Sequence, residues 1–521
     1  MAGFLDVLLR GVLLVGSAIA LGGVVFAWAV LGAGPGHKPD ARARRALRLV
    51  ALGAAVVAAA QLAVGGIALA ALVADFGVPA VSPFARTSFA SASLARVVLA
   101  IATGLLALRL ARSPGGRAAW SALATAALLV VASSAAISHA VARLEHRPLL
   151  FALDAVHQLA AAVWVGGLVH LLACPWGGHA GAAPALRRFS TIALVAVGTL
   201  ILAAVGLSIG YVGDPRALLE TAYGVMVLTK IVLFAAILAV AAGTFRLVRR
   251  AGERAAELRV ARFVEVETGL AITVLFAAAS LTSLPPAVDV RGERATIGEV
   301  VARFTAMPPR LASPAAGDLL RQTNPLGGGP AARLRIEREW SEFNHHWAGL
   351  CVLVMGLAAS AHRAGVARAR HWPLLLVALA ALLVVRADPE VWPLGPIGFF
   401  ASLAQPEILQ HRALLTLAAL FGVFEWAVRT DRLASRPWGY VFPLLSAVGG
   451  GLLLTHSHAV VDVKEAFLME VTHAPIGILS AFAGWARWLE LRLPEAGAWP
   501  GRVWCACLTL VGILLLFYSE G

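Results

Sequence analysis

Charge is scarce in this chain of 521 residues: Asp, Glu, Lys and Arg together make up 14% of it, against 60% for hydrophobic side chains. Soluble domains carry about 25% charged residues and about 45–50% apolar ones, so a soluble globular protein is excluded. No continuous polar segment is long enough to form a large soluble domain either. Cysteine is just as sparse: Cys174, Cys351, Cys505 and Cys507 are all there are. None falls in an evident loop on the outer side, so no disulfide framework is indicated. There is also no nucleophile motif and no phosphate-binding loop, and no enzyme is expected.

What the chain has in abundance is apolar runs long enough to cross a bilayer as helices, which takes about 20 residues. They fall near 5–32, 48–74, 92–111, 119–138, 149–173, 190–212, 224–247 and 263–284. A polar stretch over 285–341 follows, then a second set near 344–362, 372–386, 408–428, 438–457, 465–488 and 501–518. The reading is an all-α polytopic membrane protein of about fourteen transmembrane helices, eight plus six. It divides into a first membrane domain over 1–287, a linker over 288–341 with one short helix at 296–304, and a second membrane domain over 342–521. The first run is too long for a signal-peptide core and reads as a retained span. The weakest span, 372–386, is only about 22 Å long at helical rise.

The net charge of +14 would suggest nucleic acid in a soluble protein. Here the basic residues sit in every second connection: Lys38 to Arg48, Arg109 to Arg117, Arg187–Arg188, Arg246 to Arg262, Arg363 to Arg370, Arg429 to Arg436 and Arg487 to Arg502. Loops rich in Lys and Arg stay in the cytoplasm. No nucleic-acid partner is expected; the bilayer is the partner. Both termini and the 288–341 linker then face the periplasm of a bacterial inner membrane.

Ionisable groups inside a bilayer are costly and face a polar interior or a partner where they persist. In the fifth span, Asp154 and His157 are spaced i, i+3 and share a face with Trp164. They lie roughly 10–13 Å below the periplasmic end, and Lys230 in the seventh span lies at a similar depth. An Asp154–Lys230 pair with His157 alongside is the simplest arrangement, as part of an ion route or as a structural lock between helices.

Around these residues several stretches resemble one family. The run from His157 through Trp164 to Gly166, Gly167 and Leu168 is similar to the signature helix of the copper-resistance protein D (CopD) family. Arg188, Phe189 and Ser190 before an apolar span resemble its next helix. Thr221, Tyr223 and Gly224 leading to Lys230 and then Phe245–Arg246 resemble the core of the domain. Glu265 and Glu267, followed by an apolar run ending in Leu281, Thr282, Ser283, Leu284, Pro285 and Pro286, resemble its last helix. The likeness is best over 149–287 and covers the N-terminal half only. It implies a copper-related inner-membrane protein with a role in copper uptake or resistance.

The second half resembles no particular family, and its residues are read alone. His345 and His346 open the ninth span, His411 opens the eleventh, and His456 and His458 close the twelfth. In the thirteenth, Glu465, Met469 and His473 are spaced i, i+4, i+8, on one face of a helix. All are placed towards the periplasm. Imidazole suits copper, zinc and iron, and thioether selects Cu(I), so these residues together with His157 are the candidate metal ligands; interfacial polar caps are the plain alternative. Two absences limit the copper reading: a Met-rich periplasmic tract, and the intramembrane Cys-Pro-Cys and nucleotide-binding domain of a copper-pumping ATPase. Copper, as Cu(I) or Cu(II), is the expected ion, with a periplasmic copper chaperone as candidate donor. Three functions remain open: a copper permease, a redox protein holding haem b between histidines such as His411 or His458 and His473, and a non-transporting factor that delivers copper to a cuproprotein.

Overall fold

The computed structural model describes residues 2–135, 145–174, 182–249, 254–314, 330–403, 406–455 and 463–520. Within them the chain is helical throughout, with one isolated bridge between Val391 and Ile397. Two compact units form: Ala2–Arg294 with the short piece Leu454–Ser457, and Ala295–Leu453 with His458–Gly521.

Among its described residues the first unit contains eight long helices. They are α1 (Ala2–Val25, prolonged by a π-helical turn over Phe26–Val30), α2 (Ala41–Phe76), α3 (Ser88–Arg112), α4 (Arg117–Ala132), α5 (Arg147–Ala173), α6 (Ala182–Tyr211), α7 (Ala222–Arg249) and α8 (Arg254–Leu281). Local chemistry sets their starts. Asp40 caps α2 by accepting from the Ala43 amide at 2.7 Å, and Thr87 caps α3 by accepting from Ala90 at 3.1 Å, each satisfying an amide that has no partner in the first turn. The central helix is α1, which packs against α2, α4, α5 and α8. In the apolar stretches of α1 and α8, 61% and 72% of residues are buried, against 17% in both α6 and α7. The first two therefore form the interior, and the last two present Leu194, Leu202, Ile209 and Ile231 outwards, as a lipid-facing surface does.

A close helix contact joins α1 to α5. A Cβ at Gly166 would collide with the carbonyl oxygen of Ala18, and one at Gly22 would lie 2.6 Å from the Ala162 carbonyl oxygen. Only glycine allows two backbones this near, and small residues supply much of the packing between helices in a bilayer, where lipid removes the hydrophobic drive.

The second unit comprises α9 (Ile297–Phe304), α10 (Pro330–Arg363), α11 (Leu374–Arg386), α12 (Pro406–Arg429), α13 (Val441–Leu453), α14 (Val463–Glu470), α15 (His473–Arg492) and α16 (Trp499–Leu516). Helix α10 packs on α16, α13 on α15, α15 on α16 and α11 on α12. Part of the expected linker is helical: α9 forms where the pattern places it, and α10 already begins at Pro330.

Among the described residues, nine helices are long and apolar enough to cross a membrane: Leu5–Val30, Ala41–Phe76, Ser88–Arg112, Arg147–Ala173, Ala183–Tyr211, Ala222–Arg246, Arg259–Leu281, His411–Arg429 and Trp499–Leu516. Three shorter apolar helices accompany them, Arg117–Ala132, Leu374–Arg386 and Pro437–Leu453. The chain is a multi-pass membrane protein. Helices α10 and α15, both read as spans from the sequence, are not among these twelve.

One expected span is wrong in form. The single helix over 465–488 is two, α14 ending at Glu470 and α15 starting at His473. Pro475 is the reason. It has no N–H to give, and its ring would strike the carbonyl four residues back, at Val471, so the preceding helix stops short and Pro475 stands in the first turn of α15. Glu465, Met469 and His473 therefore do not line one face of a continuous helix.

Two measurements test this architecture. Gly166→Leu must push α1 and α5 apart, and overpacking of this kind typically costs about 1–3 kcal/mol or more. The detergent-solubilised variant should melt below wild type, and an unchanged Tm would refute the close contact. The second concerns α9, whose N-terminus is closed by a capping box: Thr296 N–H donates to Glu299 Oε2 at 2.7 Å and Glu299 N–H donates to Thr296 Oγ1 at 3.2 Å. Lys464 lies 2.7 Å from the other Glu299 oxygen. The Lys464 hydrogen bond, and then the cap, hold the Glu299 carboxyl down at about 2, against an ordinary value of 4.5. Because the folded value is the lower one, the contribution is complete above 4.5 and lost as pH falls towards about 2. Amide exchange over Ile297–Phe304, corrected for intrinsic rates, should rise through that window in wild type and be faster already at neutral pH in Lys464→Met.

Candidate functional site

Helices α5, α6 and α7 bring the charged groups of the first unit together. Asp154 and His157 lie on α5, Lys230 on α7, and each of the first two is within electrostatic reach of the lysine. Trp164, two turns further along α5, meets Phe234 of α7 edge-on at 5.7 Å between ring centres. His157 Nδ1 lies 3.3 Å from the Leu200 carbonyl oxygen on α6. A carbonyl can only accept, so Nδ1 carries the proton and Nε2 keeps its lone pair. Asp154 Oδ2 is buried with no hydrogen-bond partner. The result is a polar seam in an otherwise apolar bundle, holding one carboxylate, one ammonium and an imidazole with a donor nitrogen to spare.

Three further buried polar groups of this unit went unassigned in the sequence reading. His170, at the far end of α5, has no exposed surface. Its Nδ1 donates to the Gly166 carbonyl at 2.8 Å, Phe26 packs on it at 5.9 Å, and a Cβ at Gly23 would collide with the ring. The glycine pairs Gly22–Gly23 and Gly166–Gly167 were the available signal, because they mark the space this ring fills. Glu267 on α8 is 4% exposed and accepts from the Thr244 hydroxyl. Arg96 on α3, also 4% exposed, donates to Ser134 at 2.6 Å, Ser17 at 3.2 Å and Gln61 at 3.4 Å. An arginine four residues into the apolar run over 92–111 was the sign of it.

Among the described residues, the histidines of the second unit do not form one cluster. His345 on α10 stacks on Tyr518 at 4.1 Å between ring centres, and His473, the first residue of α15, meets the same ring edge-on at 6.3 Å. The Tyr518 hydroxyl donates to Glu520 at 3.1 Å, and Ser341 donates to the same carboxylate oxygen. His345 Nδ1 donates to the Ser341 carbonyl at 2.9 Å, which leaves Nε2 as the donor atom for a metal. His346 differs. Its Nδ1 accepts from the Arg310 amide at 2.7 Å and its Nε2 donates to the Tyr518 carbonyl at 2.8 Å. Both ring nitrogens are engaged, so in this arrangement His346 ties backbone segments together.

His411 is half-exposed and pairs through Nδ1 with Asp388 at 2.7 Å. Glu465 is exposed on α14, and Met469 belongs to the same helix. His456 and His458 lie outside the described residues. Among the described residues no group of three or more His, Cys, Asp or Glu side chains is placed to hold a metal ion. The structure thus gathers His345, His473, Tyr518 and Glu520 at one place and sets His411 with Asp388; His157 belongs to the other unit.

The helices that carry Lys230 and Glu267 lie in a segment that matches a known family. Residues 183–281, which run from α6 through α8, match the family described as Copper resistance protein D. This segment is a CopD domain. Over 140 residues the chain is 36% identical to the Copper transport protein CutJ of Bacillus subtilis (strain 168), a stretch covering 26% of this chain and 25% of that protein. The likeness therefore spans about a quarter of the relative's length. No solved structure matches the chain. Asp154, His157 and Trp164 stand just before the CopD domain, on the helix that packs against its first member.

A double-mutant cycle tests the seam. Asp154→Asn leaves Lys230 without its counter-charge, and Lys230→Met does the same to Asp154. Each single variant should lower the Tm in detergent, and the double variant should recover part of the loss, with a coupling of about 0.5–3 kcal/mol. Strict additivity would show that the two charges do not interact.

Proposed function

We propose that the protein moves copper ions across the bacterial inner membrane, from periplasm to cytoplasm. The observation that carries the reading is the CopD domain at residues 183–281, set beside a polar seam on α5 and α7. A relative whose name is a copper transport protein supports it. In this proposal the chain crosses the membrane fourteen times, with its basic connections inside and both termini in the periplasm. Copper is the cargo, taken from the periplasm with or without a copper chaperone.

The residues suit distinct roles. His345 and His473, with His411 and the remaining candidates His456, His458, Glu465 and Met469, would offer nitrogen, oxygen and sulfur atoms to copper on the outer side. His157 would receive it within the bilayer through Nε2. The carboxylate of Asp154 offsets the charge of Lys230, which otherwise opposes a cation. No chemistry on a substrate is called for, so the protein acts as a carrier and not as an enzyme.

Elemental analysis with a visible spectrum, followed by copper uptake into proteoliposomes, tests the reading. Wild type should bind copper without a Soret band and accumulate it. His157→Ala should retain the outer copper but transport it about tenfold more slowly or worse, while His345→Ala and His473→Ala should lose bound copper, a lost ligand costing at least the 10–100-fold that loss of a supporting partner does. Copper binding without accumulation would instead support delivery to another cuproprotein. A Soret band lost in His473→Ala would make haem b the cofactor and overturn transport.

A further inference from the structure

A second buried charged cluster lies in the second unit, further along the helices α10, α12 and α15 that carry His345, His411 and His473. It occupies the end of the bundle where α10, α12 and α15 finish and where α11, α13 and α16 begin. Arg429, at the end of α12, pairs with Glu425 through Nε and Oε1 at 2.7 Å, with 9% and 3% of the two side chains exposed. The Arg429 guanidinium sits over Trp372 at 5.2 Å, Trp504 at 5.5 Å and Phe442 at 5.9 Å. Arg487 of α15 lies over the same Trp504 at 5.6 Å and reaches Glu490 at 2.5 Å. Glu490 also pairs with Arg363 and accepts from Trp504 Nε1 at 2.8 Å. Gly501 on α16 leaves the room that the Arg363 guanidinium occupies.

Two features of this cluster do not close. Three guanidinium groups face only two carboxylates, although Trp372, Glu425 and Trp504 are all at most 2% exposed. And the internal bonds leave buried atoms unmet: Arg429 Nη2, Arg487 Nε and Trp372 Nε1 have no acceptor, and Glu425 Oε2 has no donor. The Arg429–Glu425 contact runs through one nitrogen and one oxygen, so the second atom of each is spare. Buried polar atoms without partners are costly, and buried charge in excess costs more. Three spare donors, one spare acceptor and one surplus positive charge describe the complement of a small anion that also bears a hydroxyl.

We propose that this cluster is a binding site for a phosphate group carrying or adjoining a hydroxyl, held by Arg429, Arg487 and Trp372 with Glu425 accepting from the hydroxyl. Guanidinium groups are the side chains best suited to phosphate oxygens. The proposed topology puts this end of the bundle at the cytoplasmic face, where basic pockets between transmembrane helices meet anionic headgroups. The phosphate has two sources: the headgroup of a phospholipid such as phosphatidylglycerol, or free hydrogen phosphate. The site is independent of copper transport.

Native mass spectrometry of the full-length protein, released from detergent, reads the occupant directly. Wild type should keep a bound molecule of phospholipid mass, or take up orthophosphate on titration with inorganic phosphate, and the two masses separate the sources. Trp372→Phe removes one N–H and keeps the ring under Arg429, so the fold is spared. Losing one hydrogen bond to a charged group should weaken retention about tenfold. Arg429→Gln with Arg487→Gln should abolish it. A wild type that holds neither phospholipid nor phosphate, and gains no Tm from either, would overturn the proposal and leave water as the partner of these atoms. Equal retention by wild type and Trp372→Phe would overturn the assigned position.

Discussion

A charge placed in the hydrocarbon layer has to be met by something other than water, and this single constraint organises both units. It explains why Asp154, His157 and Lys230 occur together on helices that face one another, and why Arg96 spreads its guanidinium over Ser17, Gln61 and Ser134. It explains equally why Arg429 and Arg487 stand against tryptophan and phenylalanine faces, which supply negative potential where carboxylates run out. The apolar remainder of each helix, by contrast, can face lipid at no cost. The polar groups are therefore the places where the sequence is least replaceable and where helices are told which neighbour to choose.

The CopD domain follows this principle. Of the 43 basic residues in the chain, Lys230 is the one lysine within a helix long and apolar enough to cross a membrane. Arginine keeps its charge under all ordinary conditions and binds as a planar fork, whereas lysine is a compact point charge on a flexible stem. Beside a histidine and a carboxylate, a lysine is therefore the more adaptable of the two cations.

Most of the helix pattern was legible in the sequence because apolar length and basic connections are one-dimensional signals. The seam of Asp154, His157 and Lys230 was legible too, since three polar residues at matched depth in apolar runs are conspicuous. The second unit was harder. The break between Glu470 and His473 follows from Pro475, a residue visible in the sequence whose effect is masked when hydropathy alone is followed. The double tethering of His346 depends on the Arg310 amide and the Tyr518 carbonyl, backbone groups 36 and 172 residues away, and no local pattern encodes that. His170 and the Arg429 cluster were missed for a related reason: their partners come from helices remote in sequence, and a histidine or arginine near a helix end looks like an ordinary interfacial residue.

The glycine contact between α1 and α5 has a mechanical meaning. Backbone against backbone leaves no side chains to repack, so α5 is riveted to the most enclosed helices of its unit and carries Asp154, His157 and Trp164 as a fixed post. Lys230 stands on α7, whose apolar stretch is 17% buried and which packs chiefly on α8. The carboxylate and the imidazole of the seam are thus held in place by a backbone contact, while the lysine is placed by the packing of α7 on α8.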